Sequence, residues 1–96
     1  MTAAASKSGN TIALSGVITL TNVTDLCRNV IRDMEEGVIV DLAGLTAVSS
    51  ACVSLLVELK RYAKDNSFVL SFINPSDDLM SMVNIVNVAE VLQIRA

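Results

Sequence analysis

The sequence predicts an α/β domain built on a mostly parallel sheet, and three observations predict it. The spacing of apolar residues alternates between the period of a strand and that of a helix. The resulting order is strand, helix, strand, helix, strand, helix. The middle strand candidate, "VIVDLAGL", is a nearly continuous apolar run rich in β-branched residues, as in strands with neighbours on both sides and cover on both faces. The lone proline, Pro75, stands where a strand gives way to a helix. Such alternation implies parallel pairing through right-handed crossovers, with helices laid on the sheet.

The elements follow in chain order. Residues 1–9 are small and polar and read as a flexible start, leaving 10–96 as a single domain. "NTIALSG" alternates and predicts a short strand over roughly 11–15, which Val17 and Ile18 extend past a bend at Gly16. Val23, Leu26, Cys27, Val30, Ile31 and Met34 then fall on one face of a helix. Thr21 is its expected N-cap, Asp25 sits in its first turn and Gly37 stops it. After "VIVDLAGL" and the turn "TAVSS", a second helix is expected over roughly 50–65. Its core stripe is Cys52, Leu55, Leu56, Leu59 and Ala63. "SFVLSFI" is the next strand. "NPSDDLMSMVNIVN" is a third helix, with Ser76 as cap, Asp77 and Asp78 at the positive end of the dipole, and Leu79, Met82, Val83 and Val86 facing inward. "VAEVLQIRA" closes the chain as a short strand or helical turn.

Composition removes several functions. The chain has 96 residues, half of them apolar, with seven basic and ten acidic residues and a net charge of −3. A nucleic-acid binder would need a basic stripe, which is missing. There is no polybasic cluster for an anionic membrane, and no apolar stretch approaches the roughly 20 residues of a spanning helix. No direct membrane insertion is expected. "MTAAASKSGN" lacks the apolar core of a signal peptide, so a cytoplasmic protein is expected. There is no histidine, which removes Ser-His-Asp and Cys-His catalysis and the commonest zinc ligand. Cys27 and Cys52 form no CxxC pair and read as two buried thiols. No cofactor or metal is expected.

The four glycines fit no GxGxxG, GxxxxGK[ST] or GxSxG pattern. Asp41 reads as a strand-end residue that accepts backbone hydrogen bonds. These absences point away from an enzyme. A thiol enzyme built on Cys52 is opposed by its place on the core stripe and by the lack of a base beside it.

The stretch of interest is "VSSACVSLL", residues 48–56, where a strand yields to a helix. The first amides of a helix lack partners. A serine there can be an ordinary cap. The same geometry suits a phosphoryl group on Ser50, which would face those amides and the positive dipole end. Val53 and Val57 lie off the core stripe beside the small Ala51 and Ser54, with Lys60 and Arg61 beyond. They read either as flanking core or as an exposed face for a partner.

Together these pieces resemble the STAS domain, the fold shared by anti-sigma factor antagonists and sulphate-transporter tails. The likeness covers roughly residues 10–94. In that family an apolar strand ends in an acidic residue, and a short turn leads to Asp-Ser/Thr-small-Gly-Leu opening a helix. Here Asp41-Leu42 ends the strand and Val48-Ser49-Ser50-Ala51-Cys52-Val53 occupies the motif. Ser50 takes the place of the phosphorylatable or partner-contacting residue. Ser49 stands where an acid is usual, and Cys52 where glycine is usual. "FVLSFINPSDDLMSMVNIVNVAEVLQ" is similar to the family's last strand, connection and helix. The resemblance implies a mostly parallel sheet with a mixed edge and helices mainly on one face.

Within the family, "GNTIALSGVITLTNV" and "DLAGLTAVSSACVSLLVELKRYAKDNSFVLSFIN" look like the small stand-alone MlaB type. That resemblance implies a non-enzymatic cytoplasmic subunit of a Gram-negative phospholipid-transport ABC system, peripheral to the inner membrane. It would bind an MlaF-like ATPase subunit and, through it, the permease complex. Ser50 would be the central contact, surrounded by Ser49, Ala51, Val53, Ser54 and Val57. The other reading within the family is an anti-sigma factor antagonist switched by phosphorylation of Ser50. Ser49 in place of the acid makes constitutive docking the better match.

Overall fold

The computed structural model describes residues 3–47, 49–85 and 92. Its elements are β1 (Ala3–Ser8), β2 (Thr11–Val17), α1 (Val23–Asp33), β3 (Val38–Ala47), α2 (Ser50–Asp65), β4 (Leu70–Ile73) and α3 (Asp77–Ile85). The four strands lie side by side in chain order. β3 pairs in parallel with β2 and with β4, and β1 adds an antiparallel edge to β2. The fold is therefore α/β with a mostly parallel, mixed-edge sheet, as the sequence predicts.

Burial alternates along the strands, which shows where the core sits. Ile12 and Leu14 of β2, Val38, Val40 and Leu42 of β3, and Leu70 and Phe72 of β4 are buried. The residues between them, Ala13, Ser15, Ile39, Asp41, Ser71 and Ile73, are exposed or half-buried. Helices therefore cover one face, and the expectation that "VIVDLAGL" is covered on both is corrected. The continuous apolar reading arose because Ile39 continues the run while standing half-buried on the open face.

The start of the chain also differs from expectation. Ala3–Ser8 forms β1, pairing from Ala3 opposite Gly16 to Ser8 opposite Thr11. Gly9, with φ +61°, makes the tight return. Ala3 and Ala5 pack against the core, and the Lys7 ammonium lies 3.0 Å from the Glu35 carboxylate below α1. The fold thus begins inside the segment read as flexible. Small side chains gave no periodic signal, whereas the pairing is carried by backbone groups.

α1 begins two residues later than its expected cap. Asn22, not Thr21, precedes it, and the Asn22 side chain serves the loop rather than the helix. Its Oδ1 accepts from the Thr19 N–H (2.8 Å) and its Nδ2 donates to the Val17 carbonyl (2.9 Å). The helix ends at Asp33, before Gly37, whose φ of +77° belongs to the turn into β3. β3 runs past Asp41-Leu42 to Ala47, with a register shift against β2 between Ala13 and Ser15. Gly44 lies in that shift. A Cβ there would stand 2.7 Å from the Leu14 carbonyl oxygen, so only glycine lets the two backbones approach.

α2 occupies its expected span. Its stripe of Cys52, Leu55, Leu56, Leu59 and Ala63 is wholly buried. β4 is shorter than "SFVLSFI", because Ser67 takes φ +58° and the strand pairs only from Leu70. In α3, the Ser76 hydroxyl accepts from the Leu79 N–H (3.1 Å), and Asp77 and Asp78 occupy the first turn. Leu79 and Val83 are buried and Met82 half-buried. Val86 and the closing element expected over "VAEVLQIRA" lie outside the described residues, apart from Leu92, which joins the core.

Candidate functional site

The parallel strands β2 and β3 end at one pole of the sheet, and the loops that leave them form the site. Ser49 joins β3 to α2 in extended conformation, φ −138° and ψ 170°. Its hydroxyl does not cap α2. It donates to the Ile18 carbonyl at 3.0 Å, fastening the start of α2 to the end of β2. The expectation that a serine here caps the helix is thus corrected. The carbonyl at the end of β2 competes successfully for the Ser49 hydroxyl, while the Ser49 backbone carbonyl still accepts from the Cys52 N–H at 3.0 Å.

Ser50 is the first residue of α2 and is exposed. Ser54 and Glu58 follow at helical spacing and are exposed too, giving one polar ridge along α2. The other expected site residues divide. Ala51 and Val53 are buried, at 4% and 6% exposure, so neither presents a face to a partner. Val57 is half-buried against the core. Flanking core is therefore the correct reading of Val53. α2 is wrapped more widely than its five-residue stripe implies, so residues beside the stripe are buried as well. Of the residues beyond, Lys60 donates to the Leu70 carbonyl at 2.8 Å, and burial lowers its pKa. Arg61 pairs with Glu58 at 3.1 Å.

Sequence reasoning missed two features of this pole. The first is a groove of about 280 Å³ between α1 and α2. Val23, Cys27 and Ile31 of α1 and Leu55 of α2 form its apolar floor. Thr24 and Arg28 stand on one rim, Ser54 and Glu58 on the other. The signal was present: Val23, Cys27 and Ile31 share one edge of the α1 stripe, and all three are only half-buried. The second is Leu20, 83% exposed in the loop before α1. That loop is held by the Asn22 bonds and by the contact between the Thr19 and Thr21 hydroxyls at 2.8 Å. An isolated leucine in "TLTNV" was its only sequence signal.

Neither thiol is activated. Cys52 is fully buried, and burial pushes its pKa up to about 11. Cys27 is raised by burial and, secondarily, by the negative charge of Glu58. The Asp41 carboxylate accepts from the Ala43 N–H (3.0 Å) and from the Asn74 side-chain amide (3.1 Å); it takes a backbone bond as expected, but from within β3 rather than at the strand's end. Among the described residues, no three His, Cys, Asp or Glu side chains gather as metal ligands. None of their helices is long and apolar enough to cross a membrane.

A strand-ending pole with a serine opening the next helix, on a one-sided mixed sheet, defines the class. A family model described as "Mlab, STAS domain" matches residues 1–94. The chain belongs to the STAS domain family, and the matching description is that of the Mlab type. No match was found among curated proteins. Among solved structures, the chain is similar to one described as "Crystal Structure Analysis of Mglu", with a TM-score of 0.57 and 18% identity. The match covers 76% of this chain and only 19% of that one. At this identity the likeness speaks for the fold alone.

Proposed function

We propose that this chain is the non-enzymatic STAS subunit of a phospholipid-transport ABC system, docking on the cytoplasmic ATPase subunit. Ser50 carries the reading. It is an exposed, uncharged residue at the opening of α2, next to Ser49, whose hydroxyl donates to the Ile18 carbonyl. An exposed, uncharged side chain at the first turn of a helix is open to contact without an ion pair having to be broken. The Mlab description of the matching family supports the choice of partner. Ser54 and Val57 border the contact; Ala51 and Val53 support it from beneath.

The test is Ser50→Arg, assayed for complex formation with the ATPase subunit of the same organism's phospholipid-transport system. The variant is expected to lose the complex while its thermal unfolding stays at the wild-type temperature, since an exposed side chain is replaced. Binding at wild-type strength would move the docking site elsewhere. The exposed hydroxyl of Ser50 also fits an anti-sigma factor antagonist. That reading predicts gain of one phosphate on incubation with a host lysate and ATP, lost in Ser50→Ala and read by intact mass.

A further inference from the structure

The groove between α1 and α2 runs beside the ridge that Ser50 begins. α1 returns the chain from β2 to its parallel neighbour β3, and α2 does the same from β3 to β4. The two helices therefore run in the same direction. Each rim has a hydroxyl, Thr24 or Ser54, and a charge one turn further on, Arg28 or Glu58. Arg28 and Glu58 have opposite signs on opposite rims, yet each pairs within its own helix, Arg28 with Asp25 at 3.8 Å and Glu58 with Arg61 at 3.1 Å. These are exposed pairs between neighbouring turns, weak enough to be exchanged for better partners.

A volume of about 280 Å³ lies at the lower edge of the roughly 300–1,000 Å³ of small-molecule clefts. The groove is open along its length and follows α1 for about two turns, from Val23 to Ile31. That shape suits the apolar stripe of a third helix laid on two others. We propose that the groove receives an amphipathic helix of the partner protein, its aliphatic stripe on the half-buried Val23, Cys27 and Ile31, an acidic flank against Arg28 and a basic flank against Glu58. The opposite signs of the two rims set which way round the helix lies. The proposal rests on the docking reading above and adds the chemistry of the segment that docks.

Cys27 on the groove floor is a built-in reporter, and the fully buried Cys52 is its silent control. The experiment follows maleimide labelling of Cys27 in the free chain and in its complex with the ABC ATPase subunit of the same organism. In the complex, labelling is expected to slow by about tenfold, as for a site reached only by local opening. Arg28→Glu and Glu58→Arg are each expected to weaken the complex by about tenfold, with unchanged thermal unfolding of the free chain. Labelling at the free rate in an intact complex overturns the groove proposal and leaves docking at Ser50 standing. Labelling that slows with rising concentration of the chain alone makes a second copy the occupant and overturns it too. Failure to form any complex overturns both readings.

Discussion

Ser49 and Ser50 are chemically identical neighbours with opposite environments. The Ser49 hydroxyl is half-buried and spent on the Ile18 carbonyl; the Ser50 side chain faces water. Removing the Ser49 hydroxyl breaks a bond and leaves a carbonyl short of a donor, which costs about 1 kcal/mol. Ser49→Ala should therefore lower stability in urea unfolding by about that amount, while Ser50→Ala should stay within about 0.5 kcal/mol of the parent. Equal losses would mean that Ser50 also makes a structural bond. In the proposed docking the roles reverse, since Ser50 is the exposed member of the pair. The sequence singles out this pair but not the difference between their environments, because the acceptor, Ile18, lies 31 residues away and no local pattern announces it.

Among the elements, β1 is the least expected and the easiest to remove. It pairs six residues with β2 and contributes Ala3, Ala5 and Lys7 to the covered side. A backbone hydrogen bond contributes about 0.5–1.5 kcal/mol net, so deleting residues 1–8, with the several bonds of this ladder, should cost on the order of 2–4 kcal/mol. It should also bare the edge of β2 and promote concentration-dependent association, as exposed edges do. Urea unfolding together with light scattering checks both effects, and a truncated chain of parent stability would show that β1 adds nothing. The helices were legible because burial imposes a period on their side chains: Leu26, Val30, Leu56, Leu59, Leu79 and Val83 all take their expected places. The span of α2 and the Ser76 cap of α3 were legible for the same local reasons. β1 was not, since "AAASKS" has neither bulk nor alternation. The groove escaped notice for a related reason: a stripe specifies which residues turn inward, but not how completely a second helix will cover them.

At the scale of the whole molecule, a two-layer fold makes neighbouring positions on one strand unequal. The core is aliphatic, and among the described residues it holds no buried polar or charged side chain. The four ion pairs found among them are at the surface and add little. Stability therefore depends on which face of the sheet a residue occupies. Leu14 has no exposure, whereas Ala13, next to it on β2, is exposed on the open face. Leu14→Ala removes fully buried methyl groups and leaves a cavity, at a cost of about 2–5 kcal/mol. Ala13→Ser changes a position in water and should cost no more than about 0.5 kcal/mol. Unfolding both variants in urea measures the asymmetry directly. A small loss for Leu14→Ala would show a loosely packed core. A loss of several kcal/mol for Ala13→Ser would show a second covering layer. With the described helices on one face, the apolar groove between α1 and α2 belongs to the same layer as the core. Docking there would extend the packing of the folded chain outward rather than build a separate contact on the bare side of the sheet.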